Sequence, residues 1–372
     1  MDTISDYIRW LGDFPVSATG LREPDAVLFC LLSYIDFTPA FQGREGGVRV
    51  SECLPFVEND QLSVLSTGDG REYLKILKVT CQSKRYGDIL LRNYQNLQRD
   101  DPPLQFSAVC FEDKEYSFIA FRGTDSSLAG WKEDFMISFT RTEAQELALA
   151  YAENCICPGR RWYLGGHSKG GNELLYAAAL LPEDQWNLVD RIFLLDGPGL
   201  CPEVMDSGSV RDIDSKTTCI VPEFSVIGKL FEPRITDSRI VRSSAQGLTQ
   251  HVLTSWGIDH GKLAEAEDND SLSKWINEIL EQWIGGVSQE ERPILVNELF
   301  AALSAGGAKD LHDLTKDGTE GLEAIFKQLK TVSETTKKAM GDLPKQAFRY
   351  GVDQFRQAIG AGVQSPDDKK RL

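Results

Sequence analysis

Histidine is scarce in this chain, with four among 372 residues: His167, His251, His260 and His312. Any chemistry that needs an imidazole base must draw on one of them. Long apolar runs are missing as well, and no stretch approaches the roughly 20 residues that a membrane-spanning helix requires. Basic residues are in deficit, 40 Lys and Arg against 56 Asp and Glu, for a formal net charge of −16. That balance argues against nucleic acid as a partner, because phosphate contacts need basic surface. It equally disfavours purely electrostatic attachment to anionic membranes. The start, Met1-Asp2-Thr3-Ile4-Ser5-Asp6-Tyr7, has neither a basic n-region nor an apolar h-region, so no secretory signal is expected.

Close-spaced cysteines are also few. The eight (Cys30, Cys53, Cys81, Cys110, Cys155, Cys157, Cys201 and Cys219) are scattered, mostly through apolar segments. Only Cys155-Ile156-Cys157 is tight, and one C-x-C without a second pair is a weak metal pattern. The expectation is reduced thiols, most of them in the core, in a cytoplasmic protein with no metal and no cofactor.

What is present is Leu164-Gly165-Gly166-His167-Ser168-Lys169-Gly170-Gly171, which contains Gly-x-Ser-x-Gly. An apolar β run, Arg161-Trp162-Tyr163-Leu164, leads in, and an alanine-leucine helix from Glu173 to Leu180 leads out. Strand, sharp turn and helix make the context of a nucleophile elbow. Gly166 and Gly170 remove the Cβ atoms that would clash as strand folds onto helix. The helix N-terminus turns free N–H groups towards Ser168 and favours negative charge there.

Around that turn the pattern alternates. Tyr7, Ile8 and Leu11, then Ala26–Leu32, then Leu74–Val79 have helical spacing and suggest an N-terminal helical cap. Ile89–Tyr94, Leu104–Phe111 and Tyr116–Arg122 read as strands, the last two joined by a hairpin turn at Glu112–Glu115. Helical spacing returns from Thr142 to Ala152, and Arg191–Leu195, Thr217–Val221 and an edge segment Arg239–Arg242 read as further strands. Such alternation predicts an α/β fold with a mainly parallel sheet covered by helices on both faces. Sites on such sheets gather at the C-terminal strand ends, where Ser168, Asp196, Glu223 and Thr124 all fall. The expected organisation is a hydrolase-type domain over residues 1–286 and a helical extension over 287–372. Leu322, Ile325, Phe326, Leu329 and Val332 form one stripe of that extension, and Phe348, Val352, Phe355 and Ile359 another. A disordered tail is expected from Ser365.

Ser168 needs a base. His167 adjoins the nucleophile and cannot reach its neighbour's Oγ productively, and His312 lies in the extension. His251 and His260 remain, both late in the chain as the Ser…acid…His order of this fold requires. His251, in a short apolar-flanked loop, is preferred. For the acid, Asp196 at the end of one late strand is placed ahead of Glu223 at the end of the next, with a carboxylate elsewhere as the remaining option. The oxyanion donors expected are the backbone N–H of Lys169 and a donor from Phe121-Arg122-Gly123-Thr124-Asp125, where Thr124 offers an N–H and a hydroxyl. Arg122 reads as structural, pairing with Asp134.

Phe121-Arg122-Gly123-Thr124, Trp131 and Asp134, followed by Gly166-His167-Ser168-Lys169-Gly170-Gly171, resemble the class 3 (fungal-type) lipases of the α/β-hydrolase superfamily. More closely, the Asp6-Tyr7-Ile8-Arg9-Trp10 start, Gln105–Ala108, Gly130–Phe135 and Asp196-Gly197-Pro198-Gly199 resemble a bacterial lineage of lipase-like proteins carried as a domain of unknown function. The resemblance spans roughly residues 1–290. It implies Ser168 as nucleophile, Thr124 and Lys169 as oxyanion donors, His251 in the late histidine loop, and a lid over Asp125–Phe139 that carries Leu128, Trp131, Phe135 and Ile137. Two departures stand out. Leucine is usual after the serine where this chain has Lys169, which puts a cation near the acyl site. The family's aspartate follows the strand corresponding to Thr217–Val221, where this chain has Ser225, with Glu223 two residues earlier.

Two functions follow as expectations. One is a carboxylic-ester hydrolase that acts on lipid or small acyl esters through an acyl-enzyme on Ser168. The other is a weak or inactive pseudo-hydrolase, a binding or scaffold module whose C-terminal helices engage a protein partner. Peripheral membrane attachment through the same helical stripes is a third and lesser reading.

Overall fold

The structure is a computed structural model; it describes residues 1–65, 70–99, 104–124, 141–201, 204, 211–229 and 238–268, and scattered residues between 288 and 336. Its centre is an eight-stranded sheet whose spatial order follows the chain. We number these strands β1 (Val48–Arg49), β2 (Leu90–Arg99), β3 (Leu104–Glu112), β4 (Tyr116–Phe121), β5 (Arg161–His167), β6 (Val189–Leu195), β7 (Thr217–Pro222) and β8 (Ser238–Val241). Strands β4 to β8 run parallel, and β1 to β3 add an antiparallel edge. The predicted α/β sheet is therefore present, and its parallel half is the half that carries Ser168.

The longer described helices are α1 (Ile4–Leu11), α2 (Glu23–Leu32), α3 (Arg71–Gln82), α4 (Glu143–Cys155) and α5 (Lys169–Leu180). Crossovers that always step the same way along a sheet, each right-handed, put their helices on one face. Accordingly α4 and α5 pack together over Phe106, Ile119, Phe121, Leu164, Ile192 and Leu194. The opposite face, formed by Val109, Phe111, Phe118, Tyr163, Phe193 and Leu195, is covered by α1, α2 and α3. Neighbouring residues thus alternate between two cores, which is why these strands read as continuous apolar runs rather than as polar–apolar alternation. These three N-terminal helices form a second layer that caps this face.

A buried ion pair ties the cap down. Asp25 and Arg85 side chains are both fully buried, with Nη2 to Oδ2 at 2.6 Å and Nε to Oδ1 at 3.0 Å. The remaining guanidinium N–H groups donate to Phe14 O, Thr19 Oγ1 and Gly20 O. Tyr7 and Tyr86 hydroxyls donate to Asp25 Oδ1 at 3.1 and 2.5 Å, and Arg22 N–H to Oδ2 at 2.8 Å. All five guanidinium donors are used, the condition under which a charge tolerates burial.

Boundaries differ from expectation in instructive places. β2 runs on to Arg99 because its outer half is an exposed hairpin arm, with Leu97 40% exposed, and lacks the apolar signature. The helix predicted from Thr142 begins one residue later, since Thr142 is its N-cap and accepts from Gln145 N–H. The lid segment, Trp131, Asp134 and the stripes of the C-terminal extension lie outside the described residues, except Val332, which is buried. No helix among the described residues is long and apolar enough to cross a membrane.

Candidate active site

The elbow follows from the backbone. Ser168, between β5 and α5, has φ 57° and ψ −131°, a region that an L-residue occupies only when its surroundings enforce it. Its N–H donates to Leu195 O at 3.1 Å, and its carbonyl accepts from Gly171 N–H at 2.8 Å. A Cβ on Gly166 would overlap Gly170 O, and one on Gly170 would overlap Phe121 O. Both glycines are required by close backbone approach, as the turn predicts. Ser168 is the N-cap of α5, yet its hydroxyl makes no capping bond, so the helix does not use the oxygen.

The loop after β4 lies against the same residue. A Cβ on Gly123 would come within 2.7 Å of Ser168 Cβ and 2.6 Å of His167 O. Thr124, next in the chain and buried, is therefore carried to the elbow on a backbone that only glycine allows. Lys169 opens α5, where a backbone N–H at the helix N-terminus has no intrahelical acceptor. Its side chain is buried: Nζ donates to Gln105 O at 2.5 Å and lies 3.7 Å from Glu173 Oε1. The cation expected near the acyl site is thus balanced by a buried carboxylate one helical turn along. Arg122 is also buried and donates to Leu65 O at 3.1 Å.

The structure brings Asp196 and His251 together. Asp196 follows β6 directly, at φ 42°, a left-handed conformation that aspartate tolerates better than most residues. Its Oδ2 lies 2.6 Å from His251 Nδ1, with the His251 side chain 15% exposed and that of Asp196 1%. A carboxylate acceptor on Nδ1 puts the ring proton there and leaves the lone pair on Nε2, the tautomer of a general base. Glu223, the alternative acid, follows β7 half-buried, and its N–H donates to Val241 O. His260 is 94% exposed beside Asp259. His312 lies outside the described residues.

His167 links the two halves of the site. It is buried, its Nε2 lies 2.8 Å from His251 O, and its Nδ1 2.7 Å from the Tyr34 hydroxyl. A carbonyl only accepts, so Nε2 donates to His251 O and Nδ1 accepts the Tyr34 proton. The His167 and His251 rings stand 4.5 Å apart. Burial, reinforced by the nearby His251, holds the His167 imidazole well below its ordinary value of 6.5. It therefore stays neutral in the folded protein and gains a proton on unfolding. Stability from this group is present above pH 6.5 and is lost as pH falls below it. Urea midpoints should accordingly drop between pH 7 and 5 by more in the wild type than in His167→Gln, and equal drops would contradict the assignment.

The loop of His251 is pinned on its other side by Gln250. The Gln250 amide oxygen accepts from Phe224 N–H, and its backbone carbonyl accepts from Trp256 Nε1, both at 2.9 Å. Asn172 on α5 donates to Gly199 O at 2.5 Å and accepts from Gln145 at 2.7 Å, fastening the loop that follows Asp196. Tyr34, Asn172, Ser225 and Gln250 carry no motif in the sequence; their contribution is contact over long separations. Among the described residues no cluster of His, Cys, Asp and Glu could hold a metal ion.

The family model described as Mbeg1-like matches residues 80–301. Among solved structures the chain is similar to the crystal structure of M37 lipase, with 15% identity over 56% of this chain and 70% of that one, at a TM-score of 0.35. A likeness that low adds nothing to the fold, which rests on the sheet and the elbow. No curated protein matches the chain.

Proposed function

Because the chain belongs to the Mbeg1-like family, a family of lipase-like domains, we propose that it is a serine hydrolase that cleaves carboxylic esters through an acyl-enzyme on Ser168. The observation that carries the proposal is the 2.6 Å contact between Asp196 Oδ2 and His251 Nδ1 at the strand ends beside the elbow. Ser168 Oγ attacks the ester carbonyl while His251 Nε2 takes the hydroxyl proton, and Asp196 stabilises the imidazolium. The N–H groups of Lys169 and Thr124, with the Thr124 hydroxyl, receive the oxyanion, each donor contributing about two to three orders of magnitude in turnover. The imidazolium returns its proton to the leaving alcohol. Water, deprotonated by the same nitrogen, then releases the acid and restores Ser168.

The substrate we propose is a small-molecule or lipid ester. Eight free thiols, seven of them buried, support a reducing compartment and hence the cytoplasm. A pseudo-hydrolase would suit a missing acid and the cation of Lys169; the carboxylate on His251 and the pairing of Lys169 with Glu173 favour the enzyme instead. Turnover of p-nitrophenyl esters of increasing acyl length by the purified full chain tests the proposal. Saturable hydrolysis of at least one chain length is expected, and none across the series would overturn it.

A further inference from the structure

Asp196 has two carboxylate oxygens, and His251 occupies only Oδ2. The other, Oδ1, accepts the Ser225 hydroxyl at 2.5 Å and the Gly228 N–H at 3.1 Å. Both donors lie beyond β7, whereas Asp196 directly follows β6, so the acid is assembled from two adjacent strand ends. Ser225 is completely buried, and a Cβ on Gly228 would overlap Asp196 Oδ1, so the β7 loop is pressed against this oxygen.

We propose that Ser225 is a positioning residue of the site, holding the Asp196 carboxylate in the rotation that presents Oδ2 to His251. The inference rests on the ester-hydrolase reading for its kinetic consequence. Backbone φ fixes the Asp196 Cα, but the carboxylate can still turn about Cβ–Cγ. Two donors converging on one oxygen remove that freedom and leave the second oxygen for the imidazole. Among the described residues, the titratable groups that face this carboxylate are His251, from the loop after β8, and behind it His167, from the end of β5. A donor to the carboxylate favours the state in which the Asp–His pair carries net negative charge. Removing it favours protonation of the pair, so the acid limb of the rate profile moves to higher pH.

The test is a cycle of Ser225→Ala, Asp196→Asn and the double variant, with thermal melts to verify folding. Ser225→Ala should lower kcat roughly 10- to 100-fold with KM nearly unchanged, and move the acid limb upward by roughly half to one pH unit. In the Asp196→Asn background the same change should cost about twofold or less, since its target is gone. A Ser225→Ala protein with wild-type kcat and acid limb, or effects that multiply in the double variant, would overturn the inference. One readout needs no turnover: the proton resonance of His251 Nδ1–H should shift or broaden in Ser225→Ala, and an unchanged resonance counts against the proposal. Wild-type protein without esterase activity but with that resonance shifted would sink the hydrolase reading and leave the positioning role standing.

Discussion

Replacing Ser168 by alanine is expected to lower ester turnover by roughly five to six orders of magnitude, and His251→Ala by a similar factor. The double variant should be little worse than either single one. Serine and histidine act as one unit: without the base the hydroxyl keeps its proton, and without the hydroxyl the base has nothing to activate. The residual rate above water would come from the oxyanion donors and from substrate binding, which both variants retain. The folded backbone should persist in each. Ser168 owes its positive φ to Gly166 and Gly170 packing beneath it, and its hydroxyl makes no helix-capping bond. Steady-state kcat with unchanged melting temperature is the measurement. Multiplying effects of the two substitutions, or a Ser168→Ala protein with near wild-type turnover, would contradict the shared role.

The second large effect is on stability. Arg85→Met should destabilise the protein by roughly 3–5 kcal/mol, because it leaves the Asp25 carboxylate buried without its charge partner. Asp25 would keep the Tyr7, Tyr86 and Arg22 donors. Phe14 O, Thr19 and Gly20 O would each lose a hydrogen bond at the same moment. Arg85→Met with Asp25→Leu should recover part of the loss, since apolar replacement of a whole buried pair is often neutral. The consequence reaches the site. Asp25 sits in the first turn of α2, and that helix delivers Tyr34 to His167. Chemical denaturation of the three proteins measures the cost, and a shift below about 1 kcal/mol for Arg85→Met would show that the cluster contributes little.

Much of this arrangement is legible in the chain, and the legible parts share a physical cause. The elbow shows because the turn demands glycine at 166 and 170 and because strand and helix have different apolar periods on its two sides. The parallel strands show because both their faces are buried. Pattern reading places Asp196 only narrowly ahead of Glu223, because both follow strands of the same sheet, and the rotation of one side chain and the path of the His251 loop decide which meets Nδ1. Tyr34 lies 133 residues from His167, and Ser225 lies 29 from Asp196, so their hydrogen bonds leave no local trace. His167 illustrates the same limit from the other side. It is excluded as a base by its place beside Ser168, yet nothing local indicates that its ring holds the His251 carbonyl.

The most direct test of the account is to treat the folded protein with a fluorophosphonate and locate the adduct by peptide mass spectrometry. A single phosphonylated residue is expected, Ser168, formed rapidly in the wild type and at least a hundredfold more slowly in His251→Ala, about the cost of losing general-base assistance. An adduct on another serine, or equal rates with and without His251, would contradict it.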